Sequence, residues 1–283
     1  MKTQWWVDGL PCAQVPADDR GLAYGHGLFE TMRLEAGGVV ALGKHLQRCY
    51  RDAPRIGVNL PIVSELRDWI ARAIQESGCA AGVVKLIATA GSAPRGYRFS
   101  RSSPARILLG IRVGLPDPVQ QPVRVRLCET RISSNPTLAG IKHLNRLEQV
   151  LARNEWDDID VHEGLMLDVH EQVIEATQAN VFLMRDGLLL TPDLSHCGIC
   201  GVMREQVLEA ASDAGLPYAI QAIPLGDIAR CSEMFLTNAV LGIVPVGCFQ
   251  QQRFQDYSRA IQLQSLIGPA VNNAGQGPQA EQV

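Results

Sequence analysis

One lysine is a candidate nucleophile because of the residues around it. Lys142 lies between Ile141 and His143 in the stretch AGIKHLNRLEQ, just before a segment with helical periodicity. An ammonium group near a helix start faces the positive end of the helix dipole, which is unfavourable by about 0.3–1 kcal/mol. Desolvation and the neighbouring cations His143 and Arg146 act in the same direction and favour a neutral amine that can condense with an aldehyde. The alternative is a solvated lysine whose stem packs along the surface.

A pair of cysteines could support a different chemistry. Cys197 and Cys200 lie in HCGIC, with His196 beside them. This C-x-x-C spacing is typical of half a metal site or of a redox pair. Because no second Cys/His pair at ligand spacing is present in the sequence, we interpret the stretch as a glycine-containing turn with half-buried thiols and expect no metal.

Composition and charge exclude several classes of partner. The 283 residues are 46% hydrophobic and 19% charged, with a formal net charge of −3, as in an ordinary globular protein. There is no Lys/Arg-rich run, so the electrostatic pattern of a nucleic-acid binder is missing. The N-terminus lacks the apolar core of a signal peptide, and no apolar run approaches the roughly 18 residues that a membrane span needs. We therefore expect a cytoplasmic protein with a small-molecule partner, and neither nucleic acid nor membrane.

The elements that must position these residues fall into two groups. The first half predicts an α+β domain over residues 1–114. Its expected elements are a strand and turn at 5–9, a hairpin at 27–42, helices over 44–56 and 61–78, and buried strands at 82–91 and 105–114. A proline-rich stretch at 115–122 then predicts an interdomain linker.

The second half predicts an α/β domain over residues 123–268. Its expected elements are a strand at 122–129, a helix from about Leu144 to Glu155, strands within 164–192, a helix over 202–214, a strand near 217–223, a short helix at 225–230, strands within 232–246 and a final helix near 256–267. Residues 269–283 have almost nothing to bury and predict a disordered tail.

Six stretches, in their order along the chain, carry a resemblance to a known family. They are DRGLAYGHGLFET at 19–31, HLQR at 45–48, GIKHLNRLEQV at 140–150, VIEATQANVF at 173–182, GICGVMRE at 198–205 and FLTNAVLGIVPV at 235–246. With them the chain resembles the fold-type IV pyridoxal-phosphate (PLP) enzymes, a family of branched-chain and D-amino-acid aminotransferases and a lyase. The resemblance covers nearly the whole chain up to the tail. It implies a two-domain, branched-chain aminotransferase-like fold, PLP in the interdomain cleft, and a homodimer.

The resemblance also implies the cofactor contacts. By it, Lys142 binds PLP covalently and later takes a proton from the substrate carbon that bears the amine. Glu175 matches the partner of the pyridine nitrogen, where a carboxylate keeps the ring protonated as an electron sink. Arg48 matches the phosphate-binding arginine, and the backbone N–H groups of Val202 and Met203, at a predicted helix start, match the rest of the phosphate site. Without the resemblance, Glu175 would be interpreted as a solvated strand residue and Arg48 as a helix-surface arginine.

Two features resemble the lyase branch, the 4-amino-4-deoxychorismate lyases, more than the aminotransferases. Thr31 in FETMR stands where aminotransferases carry glycine or valine, and the resemblance implies a catalytic role in proton transfer. The lysine segment at 139–153 is also closer to the lyase version. The implied reaction is a PLP-dependent carbon–oxygen elimination of pyruvate from aminodeoxychorismate, giving 4-aminobenzoate for folate biosynthesis. The alternatives are a D-amino-acid or branched-chain aminotransferase, and a cofactor-free binding protein on the same scaffold.

A substrate with two carboxylates requires cationic or amide donors in its pocket. Arg95 and Tyr97 in PRGY resemble the lyase's arginine-glycine-tyrosine turn, and Asn238 in LTNAV resembles its substrate-contacting asparagine. Lys85 lies within the otherwise apolar strand VVKLI, where an unpaired charge would be costly, so we assign it to carboxylate recognition too. The alternative for Lys85 is an edge-strand lysine that protects against aggregation.

Overall fold

The computed structural model describes residues 3–268, so the tail predicted at 269–283 lies outside the described residues. The first part of the chain forms a six-stranded sheet with three α-helices. Its strands are β1 (Thr3–Val7), β2 (Leu10–Pro11), β3 (Gly27–Glu35), β4 (Gly38–Val39), β5 (Gly82–Thr89) and β6 (Arg106–Val113). Its helices are α1 (Arg20–Tyr24), α2 (Leu42–Asp52) and α3 (Val63–Ser77), with a 3-10 turn over Ala53–Ile56.

The second part forms a nine-stranded sheet with three more α-helices. Its strands are β7 (Val123–Leu127), β8 (Val161–Leu167), β9 (Val173–Ala176), β10 (Asn180–Arg185), β11 (Leu188–Pro192), β12 (Tyr218–Gln221), β13 (Glu233–Asn238), β14 (Gly242–Phe249) and β15 (Gln252–Arg253). Its helices are α4 (Leu147–Arg153), α5 (Val202–Asp213) and α6 (Ser258–Ile267), with a 3-10 turn over Leu225–Arg230. None of the helices within residues 3–268 has the length and apolar character to cross a membrane.

The first sheet is antiparallel, in the order β2-β1-β6-β5-β3-β4. Side chains alternate between its faces, so Leu28, Glu30 and Met32 of β3 point into a core shared with α2 and α3. The opposite face carries Phe29 and Thr31, which are only half-buried. One strand thus presents a carboxylate to the core and leaves a second, accessible face beside it.

The second sheet is mixed, in the order β12-β11-β10-β13-β14-β7-β8-β9, with β15 paired to β14. Its parallel pairs are β11 with β12, β14 with β7, and β7 with β8. On one face, the stacked rings of Phe182 and Phe235, 5.1 Å apart, pack with Val207 of α5 and Leu263 of α6. This packing fixes the start of α5 relative to the ends of β10 and β13.

Most of the predicted elements are present, but the helix after Lys142 begins later than expected. It starts at Leu147, and residues 142–144 are instead extended along β3: the Phe29 N–H donates to Lys142 O at 2.9 Å, and the Leu144 N–H donates to Gly27 O at 3.0 Å. Lys142 lies five residues before the helix, so the prediction that its ammonium group faces the helix dipole was wrong.

Two further differences concern the first sheet. The edge-strand alternative for Lys85 was wrong, because β5 is paired with both β3 and β6. Helix α1 was not predicted; it begins where the Asp19 side chain accepts a hydrogen bond from the Gly21 N–H and ends at Gly25. All strands of the first sheet precede residue 114 and all strands of the second follow residue 122.

Candidate active site

The segment that carries Lys142 is hydrogen bonded on both sides. Beyond its two bonds to β3, the Gly140 N–H donates to Gly198 O at 2.9 Å, and the Cys200 N–H donates to Gly140 O at 3.0 Å. Gly140 has a φ of 78°, and a Cβ there would lie 3.0 Å from Cys200 Sγ. The HCGIC turn therefore holds the backbone of the lysine segment in place, and residue 140 must be small and conformationally free.

The surroundings of the Lys142 amine lower its affinity for a proton. Nζ lies 4.4 Å from the centroid of the Phe29 ring. Burial, followed by the Arg48 guanidinium, lowers the pKa of Lys142 to about 8, against the opposing charges of Glu30 and Glu175. About a tenth of the amine is therefore neutral at pH 7, far more than for an ordinary lysine.

One of the expected cationic neighbours of Lys142 is not a cation. Burial and the adjacent Arg146 lower the pKa of His143 to about 4, so this imidazole is neutral at physiological pH. Arg146 does repel the Lys142 ammonium, but less than Arg48 does. The pKa of Lys142 is thus lowered mainly by burial and by Arg48, which lies on a distant segment of the chain.

Glu175 lies in β9 and is 3% exposed. Its Oε2 accepts a hydrogen bond from the Ile199 N–H at 2.8 Å. Burial raises the pKa of Glu175, and the charges of Arg146 and Lys142 oppose that rise. The structure therefore brings Glu175 and Lys142 into one electrostatic environment, and the solvated interpretation of Glu175 was wrong.

Arg48 connects the first sheet with the start of α5. Its Nε donates to Glu30 Oε1 at 2.8 Å, its Nη2 is bonded to the same carboxylate, and its Nη1 donates to Cys200 O at 2.9 Å. His45 Nδ1 lies 2.7 Å from Glu30 Oε2. Although burial opposes it, Arg48 and His45 lower the pKa of Glu30 to about 2. Arg48 is 7% exposed, so the helix-surface interpretation was wrong.

The start of α5 offers backbone donors to an anion. Gly201 precedes the helix with extended backbone, and no side chain caps the first N–H groups of Val202 and Met203. A Cβ on Gly201 would lie 2.1 Å from Asn180 Oδ1, so glycine makes room for Asn180, whose Nδ2 donates to Ile199 O at 2.8 Å. Arg48 and these N–H groups converge because Cys200 immediately precedes Gly201.

Thr237 was not predicted as a site residue. It pairs with Asn180 across β10 and β13, so both side chains point to the same face, towards the loop before α5. Thr237 is 2% exposed, and its Oγ1 has no hydrogen-bond partner within residues 3–268. Buried hydroxyls are rarely left without a partner, so this one indicates a ligand oxygen. Residue type alone gave no signal, because threonine is common in strands.

Thr31 and Lys85 face each other on the half-buried face of the first sheet. They form a cross-strand pair of β3 and β5. Lys85 Nζ lies 5.3 Å from the centroid of the same Phe29 ring that contacts Lys142. Lys85 is solvent-exposed, so the expectation that its charge would be buried was wrong. The Phe29 ring therefore contacts two amines, one buried and one solvent-exposed.

Asn238 also adjoins this face. Its Oδ1 accepts hydrogen bonds from the Val240 N–H at 2.9 Å and the Leu241 N–H at 2.8 Å, which shapes the turn between β13 and β14. Arg33 Nη1 donates to Val240 O at 2.7 Å and ties this turn to β3. The turn thus lies next to the strand that carries Thr31, and the Asn238 amide nitrogen is the group left for a ligand.

Arg95 and Tyr97 lie on an outward-facing loop. Arg95 is exposed and Tyr97 is 84% exposed. Arg20 holds the loop, since its Nη1 donates to Gly96 O at 2.8 Å and its Nη2 donates to Tyr97 O at 3.1 Å. The Tyr97 ring packs against Tyr24 of α1, with centroids 5.5 Å apart. The side chains of Arg95 and Tyr97 are therefore open to solvent in this chain.

The C-x-x-C stretch acts through its backbone. Within residues 3–268 there is no group of three His, Cys, Asp or Glu side chains that could hold a metal ion. Burial raises the pKa of Cys197 to about 12, which leaves it a poor thiolate. Its observed contacts are those of a turn that positions Gly140 and Arg48.

Comparison with known proteins identifies the family. The family model for amino-transferase class IV matches residues 27–247. The chain belongs to the class IV aminotransferase family. An aminodeoxychorismate lyase of Vibrio harveyi is 33% identical over 254 residues, covering 86% of this chain and 90% of the relative. A D-alanine aminotransferase of Listeria monocytogenes is 27% identical over 237 residues, covering 83% and 82%.

Solved structures of this class IV family agree with the fold. The 4-amino-4-deoxychorismate lyase from Pseudomonas aeruginosa superposes with a TM-score of 0.88 at 42% identity, covering 93% of this chain and 97% of that one. A branched-chain aminotransferase from Thermoproteus uzoniensis has a TM-score of 0.79 at 23% identity, which speaks for the fold alone. The predicted fold-type IV architecture, the predicted enzyme class and the dependence on PLP are confirmed.

The residues of the candidate site fit this cofactor. Lys142 provides an amine of lowered proton affinity, and Glu175 provides a buried carboxylate. Arg48, the start of α5 and the unpartnered Thr237 hydroxyl form a set of donors suited to a phosphate. The phosphate donors come from three separate parts of the chain, namely α2, the start of α5 and β13, and meet at one place.

Proposed function

We propose that this protein is a PLP-dependent lyase that eliminates pyruvate from 4-amino-4-deoxychorismate and releases 4-aminobenzoate for folate biosynthesis. The observation that carries the proposal is the Lys142 amine, desolvated beside Arg48 and seated on Phe29, with Thr31 two residues along the same strand face. The lyase relatives, at 33% and 42% identity, favour this reaction over the aminotransferases at 27%.

The proposed roles follow from what each residue contacts. Arg48, the N–H groups of Val202 and Met203, and Thr237 hold the cofactor phosphate, and Glu175 holds the protonated ring nitrogen. Bound PLP supplies the electron sink for the broken C–H bond. Lys142 anchors the cofactor and then moves the proton at the amine-bearing carbon.

The enolpyruvyl group departs as an enolate, which must take up a proton to become pyruvate. Thr31 is on the sheet face that carries Phe29, and its hydroxyl is half-buried. We infer that Thr31 or Lys142 delivers that proton. The ring product is aromatic, and its formation supplies much of the driving force.

Recognition of the two substrate carboxylates is assigned to donors from two chains. Lys85 and the Asn238 amide adjoin the Phe29 face of their own subunit. Because the loop of Arg95 and Tyr97 points outward, we propose that these two residues act in the pocket of a second copy. The proposed homodimer would also account for the large apolar side chains that are exposed on α1 and α4, namely Leu22, Leu147, Val150 and Leu151.

We also propose a cytoplasmic location. The chain has eight cysteines, scattered along its length, and five of them are buried thiols. That usage is typical of proteins in a reducing compartment.

The decisive assay supplies the protein, loaded with PLP, with freshly generated aminodeoxychorismate and measures pyruvate and 4-aminobenzoate. Both products are expected in equal amounts, and Lys142→Ala should form neither. The same preparation, mixed with amino acid and keto acid pairs, tests the aminotransferase alternative through pyridoxamine phosphate. Sustained transamination without pyruvate release would remove the lyase proposal.

A further inference from the structure

Glu175 lies where a carboxylate is difficult to keep charged. It is 3% exposed, and burial raises its pKa. A partner for a protonated ring nitrogen must itself be an anion, because a protonated carboxyl group would leave the ring without its proton. One backbone donor, the Ile199 N–H, does not offset complete burial of a charge. Further donors or positive charge are therefore required.

The start of α4 supplies two polar side chains directed to Glu175. Gln149 is 8% exposed, and its side chain lies near enough to the Glu175 carboxylate to oppose the rise of its pKa on burial. Arg146 immediately precedes α4, and its charge acts on Glu175 more strongly than any other charged side chain does. The residues around the start of α4 therefore place a guanidinium and an amide near Glu175.

The guanidinium of Arg146 is fixed by its neighbour. Its Nη2 lies 2.6 Å from Nε2 of His143, a neutral imidazole able to accept a hydrogen bond. Its Nε is buried and has no hydrogen-bond partner within the described part of the chain. A buried donor left over in this way is expected to face an acceptor or an anion. The anion that Arg146 interacts with most strongly is Glu175.

Arg146 and Lys142 both oppose the effect of burial on Glu175, and Arg146 does so more strongly. Lys142 is the reacting amine, so its positive charge comes and goes, whereas an arginine keeps its charge at all physiological pH values. We propose that Arg146 and Gln149 are positioning residues that keep the Glu175 carboxylate ionised and thereby keep the proton on the pyridine nitrogen of bound PLP. The proposal rests on the role of Glu175 in the proposed function.

The sign of the effect follows from distance. Arg146 acts through Glu175, so its charge stabilises the carboxylate more than it disfavours the ring proton beyond it. Removing that charge should move the shared proton from the ring nitrogen towards the carboxylate. For a change of one pKa unit, the ratio of protonated to unprotonated ring falls about tenfold.

The test reads the ring nitrogen directly, by ¹⁵N NMR of the holoenzyme loaded with PLP labelled at that atom. Arg146→Gln and Gln149→Leu should each shift the resonance towards the unprotonated form, with kcat falling more than KM rises. Arg146→Lys retains the charge and should restore most of the parent resonance. Arg153→Gln is the matched control, because Arg153 is on the same helix but lies over the Trp156 ring, 4.6 Å from its centroid.

Two results would overturn the proposal. A loss of thermal stability without a shift of the ¹⁵N resonance, in Arg146→Gln and Gln149→Leu alike, would mean that these residues only pack. Gln149→Leu carries the same test if the arginine variant does not fold. Glu175→Gln separates the role of Glu175 from that of Arg146 and Gln149. If Glu175→Gln displaces the ring proton and the other variants do not, only the role of Arg146 and Gln149 is refuted. If it also leaves the proton in place, the role of Glu175 falls as well.

Discussion

Replacement of Thr237 by valine should change two properties in opposite directions. In the cofactor-free protein the buried hydroxyl has no partner within residues 3–268, and such a group costs about 1–3 kcal/mol. Valine has a similar shape without that group, so the free energy of unfolding should rise by on the order of 1 kcal/mol. Towards bound PLP the hydroxyl donates to a charged phosphate, an interaction of about 1.5–3 kcal/mol. Its loss should weaken PLP binding by about 10- to 150-fold.

The assay combines denaturant unfolding of the cofactor-free protein with titrations of PLP and of pyridoxal, which lacks the phosphate. Only PLP binding should weaken. Thr191→Val is the matched control, because the buried Thr191 hydroxyl donates to Val181 O at 3.0 Å and accepts from Arg204 Nε at 3.2 Å. That variant should be destabilised with or without cofactor. If Thr237→Val is destabilised to the same degree and binds PLP like the parent, the assignment of the hydroxyl to the phosphate is refuted.

Three further outcomes are expected. Because the pKa of Lys142 is about 8, reductive methylation of its amine in the cofactor-free protein should accelerate about tenfold from pH 7 to pH 9 and then level off. Mass spectrometry measures the rate. A rate that still rises steeply above pH 10 would contradict the lowered pKa. Co-expression of Lys142→Ala with Arg95→Ala should restore lyase activity that neither variant has alone, whereas an inactive mixture would place Arg95 in its own subunit's pocket. Gly140→Ala should lower turnover at least tenfold and the free energy of unfolding by about 1–2 kcal/mol. Gly187 is the control, because it has a φ of 80° but nothing lies within 4 Å of an added Cβ. In urea unfolding, Gly187→Ala should lose stability without losing turnover.

The sequence predicted the parts of the site that lie on strong local patterns. Lys142, Glu175 and Arg48 each lie in a motif of the family. Helices α2 and α3 follow from apolar periodicity, and Gly78 marks the end of α3. These features need only nearby residues, so they can be recognised without the fold.

The parts that were missed depend on contacts between distant segments. Residues 142–144 look like the beginning of a helix, and only their hydrogen bonds to β3, more than 100 residues earlier in the chain, keep them extended. The unpaired hydroxyl of Thr237 emerges only when every possible partner has been placed. His143 is written as a basic residue, and its neutrality follows from burial beside Arg146. The outward direction of Arg95 and Tyr97 depends on Arg20, far back in the chain.

The backbone hydrogen bonds between β3 and the lysine segment should hold the two parts of the chain together even after the chain is cut between them. Hydrogen bonds from Phe29 and Leu144, together with the bond from Arg48 to Cys200 O, join the two sheets independently of the peptide that connects them at 114–122. A protease cut in that connection should therefore leave both fragments bound to each other in a native-like pair. Separately produced halves should reassemble into a split enzyme, and PLP binding should strengthen the association of the two fragments.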